Sequence, residues 1–160
     1  MKLHIFIFFL IGLFIGSSLS AQQSVLPSGK TIYIPKDLQG MDLQNPESKW
    51  SYRRMACTEN FVIFWEKGFG NDLSNPPQLE GHDMKVDLPN LMGKLESFYR
   101  FFRDTLEFSR PGSKCDKYRM MVMLNYSLEG TAYGGDYDGE IGALWIAPNL
   151  SLIHISEPTR

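Results

Sequence analysis

Three runs of the chain are apolar almost without interruption. Phe61-Val-Ile-Phe-Trp65, the body of a run that starts at Asn60, is aromatic or β-branched throughout. Met120 to Leu124, inside Tyr118–Tyr126, is apolar at every position, and Ile141 to Ala147 is relieved only by Gly142. A half-exposed strand alternates polar and apolar residues, so unbroken runs of this length predict strands covered on both faces. Between the first two runs, Leu91, Met92, Leu95, Phe98, Tyr99, Phe102 and Leu106 recur at helical spacing, with Lys94, Glu96, Arg100, Arg103 and Asp104 mostly elsewhere. That stripe predicts an amphipathic helix whose aromatic rings serve the core. Pro89 suits the first helical position after Asp87 or Leu88, and Pro111-Gly112 predicts the stop. Strand, helix, strand in this order predicts a right-handed parallel crossover, and the whole reads as an α+β domain.

The other stretches carry weaker signals. Lys30-Thr-Ile-Tyr-Ile34 is a short β-prone run stopped by Pro35, and Trp50 to Met55 reads as a further extended piece. Lys36–Ser48, Asn71–His82 and Ser127–Glu140 read as loops from their Gly, Asn and Pro content, and Glu66-Lys-Gly-Phe-Gly70 reads as a turn.

The two ends have patterns of their own. Met1-Lys-Leu-His is followed by an apolar run from Ile5 to Ile15 and by Gly16-Ser-Ser-Leu-Ser-Ala21, which predicts a signal peptide over residues 1–21 with cleavage after Ala21. The run reaches only about half of the ~20 residues a spanning helix needs, so no membrane span is expected after cleavage. This predicts an exported protein, whether periplasmic, cell-surface or extracellular. Residues 22–33 read as a polar leader. At the other end, Leu150-Ser-Leu-Ile-His-Ile-Ser-Glu-Pro-Thr-Arg160 resembles the translation of an adapter used in transposase-based sequencing libraries. Residues 150–160 are therefore expected to be a non-native tail, with residues 34–149 a partial domain whose continuation lies beyond them.

Composition narrows the chemistry. A formal net charge of −2 without any clustered basic excess gives no footprint for nucleic acid. Cys57 and Cys115 form a candidate disulfide in an oxidising compartment; each reads as lying just ahead of a strand, and parallel neighbours would bring those starts together. The alternative is two ordinary thiols. His82 is the sole histidine between leader and tail; a zinc site would need at least two further ligands, any Ser-His-Asp triad would have to pass through it, and in its Asn-, Pro- and Gly-rich loop it reads as a solvated residue. Asp136, Asp138 and Glu140 alternate in a Gly-rich stretch and are weak calcium candidates, short of the full calcium-loop motif. Glu66 and Glu140 would make a glycosidase pair only at a separation of about 5–10 Å, which the sequence does not fix.

Trp50-Ser-Tyr-Arg-Arg54, Glu59-Asn-Phe-Val-Ile-Phe-Trp-Glu-Lys-Gly-Phe-Gly70, Asp116-Lys-Tyr-Arg-Met-Met121 and Asp138-Gly-Glu-Ile-Gly-Ala-Leu-Trp-Ile-Ala-Pro148 together resemble a family of exported bacterial proteins, many from anaerobic gut bacteria, filed as a domain of unknown function. The resemblance covers roughly Ile34 to Asn149. It implies a zincin-like domain in which an H-E-x-x-H helix follows shortly after the segment equivalent to Gly142–Pro148. Residues 34–149 would then be the strand-helix-strand-strand N-terminal half of that domain. Gly142, Ala143, Leu144 and Trp145 would lie on the strand along the substrate cleft, their backbone open to an extended peptide. Zinc is the cofactor implied for the full-length protein; its ligands and general base match no residue here, so no catalytic residue is assigned and the chain is expected to be inactive. The rival expectation is a non-catalytic secreted module that binds glycan or protein, motivated by Trp50, Trp65, Trp145 and the acidic glycine loop. A glycoside hydrolase rests only on carboxylates near strand ends.

Overall fold

The computed structural model describes residues 29–129 and 132–148; the expected signal peptide, most of the leader and the expected tail lie outside the described residues. The three apolar runs become three parallel strands at the centre of one sheet. In chain order the strands are β1 (Met55–Cys57), β2 (Phe61–Trp65), β3 (Met120–Leu124), β4 (Ala132–Tyr137) and β5 (Ile141–Ile146). Their spatial order is β1-β2-β3-β5-β4. β2, β3 and β5 run parallel, while β1 and β4 close the two sides antiparallel to their neighbours. The fold is α+β.

Both faces of the central strands are covered, which is why their sequences do not alternate. On one face Phe61, Ile63, Trp65, Val122, Leu124 and Ile146 pack beneath the long helix. On the other, Val62, Phe64, Met121, Met123 and Ala143 pack against Leu38, Leu43 and Trp50 of the N-terminal segment. Val62, Ile63 and Phe64 have no exposed surface, and each such side chain contributes about 1.5–3 kcal/mol on burial.

Three helices accompany the sheet: α1 (Lys36–Gln39), α2 (Leu88–Arg100) and α3 (Lys114–Lys117). α2 begins where Pro89 predicts, with the Asp87 carboxylate accepting from the Asn90 amide at 3.0 Å as its N-cap. Leu95 and Tyr99 are buried against the sheet, with Leu91 and Met92 partly so. From Phe98 onward, Tyr99 apart, the expectation of an all-core stripe fails. Phe98, Phe102 and Leu106 are 58%, 44% and 41% exposed. The helix has outrun the sheet: the Tyr99 hydroxyl meets Lys30 Nζ at 2.9 Å and the Cys115 carbonyl at 3.3 Å, at the end where β2 and β3 begin.

The helix also stops earlier than Pro111-Gly112 predicts. It loosens into a π-helical turn over Phe101–Thr105. Glu107 then takes a left-handed conformation (φ 54°) and the Phe108 amide reaches back to the Phe102 carbonyl. That closure normally uses glycine, so the sequence does not flag it.

Two further expectations change. The stretch from Trp50 is not extended until Met55; its residues form turns that bury Trp50, Ser51 and Arg54. Lys30–Ile34 contributes a single bridge, Thr31 to Tyr118, because the edge it meets lies at the very start of β3. Among the described residues no helix is long and apolar enough to cross a membrane.

Candidate functional site at the open edge of the sheet

The strand that finishes the sheet is one the sequence reading takes for loop. Ala132-Tyr-Gly-Gly-Asp-Tyr137 has two glycines and an aspartate, a poor strand composition. It is extended because it forms a hairpin with β5, from Tyr137 opposite Ile141 to Ala132 opposite Ile146. The turn supplies what the strand lacks. Asp138 and Gly139 both have positive φ (57° and 69°), the requirement of the type I′ turns that favour hairpins, and Asp-Gly between two runs was the signal available in the sequence.

This hairpin changes the expected cleft strand. β5, with Gly142, Ala143, Leu144 and Trp145, is paired to β3 on one side and β4 on the other. Its backbone is therefore not open to an extended peptide. Among the described residues the edge on this side of the sheet belongs to β4, whose residues from Ala132 to Asp136 are all exposed. Gly142 packs closely against β3: a Cβ there would come within 2.7 Å of Met120 Cε.

The outer hairpin carries an aromatic ladder. Tyr133 stacks on Trp145 with ring centroids 4.8 Å apart and planes within 9°, and Tyr137 lies on the same indole at 5.1 Å. Tyr133 is 57% exposed, whereas Trp50 and Trp65 are buried. Burial first, and then the Asp37 and Asp138 carboxylates, push the Tyr137 phenol above its ordinary value.

At the carboxyl ends of β2, β3 and β5 a polar hollow of about 340 Å³ is lined by Lys49, Glu66, Asn125, Tyr126, Ser127, Glu129 and Ala147. Crevices at this end of parallel strands are favoured places for ligands. Lys49 Nζ holds the Glu66 carboxylate at 3.0 Å. Beside it Tyr126 lies flat against Gly68 and meets Phe69 edge-on at 5.0 Å. Glu66 stands out in the sequence at a strand end, whereas Lys49, which reaches its carboxylate from a separate turn, does not.

The carboxylates singled out by spacing do not converge. Asp136 accepts from the Gly139 amide and closes its own turn. Asp138 accepts from the Tyr33 hydroxyl at 3.1 Å and the Lys36 amide at 2.8 Å, tying the N-terminal segment to the hairpin. Glu140 pairs with Lys114 at 3.0 Å. Among the described residues no three His, Cys, Asp or Glu side chains gather as a metal site. Glu66 follows the end of β2 and Glu140 precedes the start of β5, so two parallel strands place them at opposite ends of the sheet. Five to six strand residues span about 17–20 Å, well beyond any glycosidase pair.

Cys57 and Cys115 are free thiols. Cys57 ends β1 just ahead of β2 and Cys115 lies in α3 just ahead of β3, and β2 and β3 are parallel neighbours as expected, yet the two thiols are not bridged. Burial pushes the Cys57 thiol up, with Arg119 opposing. His82 is exposed, opposite Leu79 across a tight turn at Glu80-Gly81.

Two buried polar residues hold the frame on which this edge is mounted. Arg54, 3% exposed, donates to the carbonyls of Pro46, Ser48 and Lys49. Glu96, 8% exposed, accepts from the Asn60 amide at 2.8 Å and from its side chain at 2.7 Å. Charged side chains are ordinarily solvated, so neither role is visible in the sequence.

The described residues form a mixed-sheet α+β domain with antiparallel strands, β1 and β4, at its two edges. The chain belongs to the family of unknown function DUF6055, whose model matches residues 24–155. No curated protein and no solved structure matches the chain.

Proposed function

We propose that this chain is the N-terminal part of an exported, zincin-like domain that presents an extended peptide to a zinc site supplied by a following helix. The observation that carries the reading is the edge of β4, exposed from Ala132 to Asp136 and paired, among the described residues, with β5 alone. An open antiparallel edge beside a helix-covered face accepts a peptide by strand addition, the main chain giving affinity and alternate side chains giving selectivity. In this reading the cleft strand is β4, with β5 as its support. The chain's own residues bind and orient substrate; the metal and the general base come from outside them.

The test is to re-read the gene across codon 149 by a method that uses no transposase adapter, then measure zinc in the protein from the complete reading frame. An H-E-x-x-H within the next few dozen codons and one zinc per chain, with peptide cleavage abolished by a chelator, is the expected outcome. A frame that continues without such a cluster, or that ends at Arg160, sinks the reading.

A second reading, a non-catalytic glycan-binding module, is favoured by one observation: the exposed Tyr133 ring stacked on Trp145. Flat exposed rings suit the apolar faces of sugars. Oligosaccharide binding that Tyr133→Ala removes, in a protein without zinc, would put this reading first.

A further inference from the structure

The end of α2 leaves a cluster of large apolar side chains in water. Phe98, Phe101, Phe102 and Phe108 are 58%, 49%, 44% and 76% exposed, and Leu106 is 41% exposed. Phe101 meets Phe102 edge-on at 5.8 Å and Phe102 stacks on Phe108 at 5.5 Å, so these three rings form one continuous surface. The four exposures amount to about 2.3 whole phenylalanine rings. At roughly 200 Å² for each ring, that leaves about 450 Å² of aromatic surface. The largest apolar patch on a monomer is commonly ~300–600 Å² and is often functional.

We infer that this patch is the interface between two copies of the chain. Two properties choose that occupant. The first is area: a standard stable interface takes about 800 Å² from each partner, a little over half of it apolar, or about 450 Å². The patch matches that share before Leu106 is added. The second is charge. Arg103, Arg110, Asp104, Glu107 and Asp116 line one hollow at its margin, with Arg100 one turn away on the same helix. The margin thus carries three arginines and three carboxylates, of which Arg103 and Asp104 already pair at 2.9 Å. An anionic lipid surface would select a cationic excess. A rim with both signs suits an isologous pair, in which each arginine can meet a carboxylate of the other copy.

The patch lies where β2 and β3 begin, at the end of the sheet opposite the Lys49–Glu66 hollow. Pairing there leaves β4 and that hollow free, so the inference does not depend on the peptide-binding reading.

The experiment is sedimentation velocity on the protein from its complete reading frame, over about 1–100 μM, with Phe98→Asp and Phe108→Asp compared singly. The native protein should be a closed dimer, and each variant should raise its dissociation constant at least tenfold. Their circular dichroism and melting temperatures should stay near native, because both side chains are mostly in water. Arg110→Glu, which leaves every ring in place, should also weaken the dimer. A native monomer across the range overturns the inference, as does a dimer indifferent to both phenylalanine variants. Polydisperse association, or a monomer that the variants destabilise by several degrees, overturns it too, the latter by showing that the same polypeptide covers the patch.

Discussion

Glu96 offers a sharp test of what holds α2 to the sheet. Its carboxylate is 8% exposed and takes two hydrogen bonds from Asn60, one from the amide that opens β2 and one from the side chain. Asn60 is itself buried, and its side-chain oxygen accepts from Lys30 Nζ at 2.5 Å, so one residue links leader, strand and helix. Glu96→Ala leaves two buried donors without an acceptor. Hydrogen bonds to charged groups contribute about 1.5–3 kcal/mol each and are not additive, so a loss of about 3–4 kcal/mol is expected. Glu96→Gln keeps one acceptor but can set an NH₂ against the Asn60 NH₂, and should cost about 2 kcal/mol.

The pH dependence gives the sign. Burial works against the Glu96 charge, but the hydrogen bonds from Thr58 and Asn60, with Arg100 nearby, more than offset it and hold the carboxyl below its ordinary value. A depressed carboxyl contributes stability that is full above its unfolded value of ~4.3 and is lost as pH falls through the folded value. Urea unfolding followed by the fluorescence of buried Trp50 and Trp65 measures this. The gap between native and Glu96→Gln should be constant from about pH 7 to 5 and shrink toward pH 3. A gap unchanged at pH 3, or an alanine variant within ~1 kcal/mol of native, would refute the reasoning.

Three other substitutions follow from the same geometry. Gly68→Ala would put a Cβ 2.2 Å from Tyr126 Cδ1 and 2.9 Å from its Cβ, near the root of the side chain, so a loss of about 1–3 kcal/mol is expected in thermal unfolding, and Tyr126→Ala in the same chain should relieve much of it. Gly142→Ala meets only the flexible tip of Met120 at 2.7 Å and should stay within about 1 kcal/mol of native by the same assay. Arg54→Met strands three carbonyls and should cost about 2–4 kcal/mol; Arg54→Lys should recover little, because one ammonium cannot reproduce the fork that spans Pro46, Ser48 and Lys49. Because burial raises the Cys57 thiol, iodoacetamide at neutral pH should label it far more slowly in the folded protein than in urea, read by peptide mass spectrometry.

The centre of the fold was legible because the hydrophobic effect writes directly into sequence. Phe61–Trp65, Met120–Leu124 and Ile141–Ile146 are apolar where both faces are covered, and they are the parallel strands observed. The margins were not legible, for different reasons. β4 is extended only because β5 pairs with it, and its own residues argue otherwise. The stripe from Phe98 to Leu106 keeps helical spacing after the sheet beneath it has ended, and periodicity cannot register what a helix packs against. The site was legible in part: Trp145 and the acidic turn were singled out, but the edge moved from β5 to its neighbour. Alternate carboxylates looked like ligands, whereas Asp136 and Asp138 make the turn and its tether.

That tether has a consequence for how the chain assembles. The Asp138 carboxylate closes onto Tyr33 and onto the amide of Lys36, across 105 and 102 residues. A ribosome adds ~5–20 residues per second, so roughly 5–20 s separate the appearance of these partners. During that interval Leu38, Leu43 and Trp50 have no finished sheet to cover. The β4–β5 hairpin, by contrast, can form in microseconds once made. The later hairpin therefore completes the packing of the earlier segment, which must wait, exposed to binding by chaperones, until the hairpin arrives.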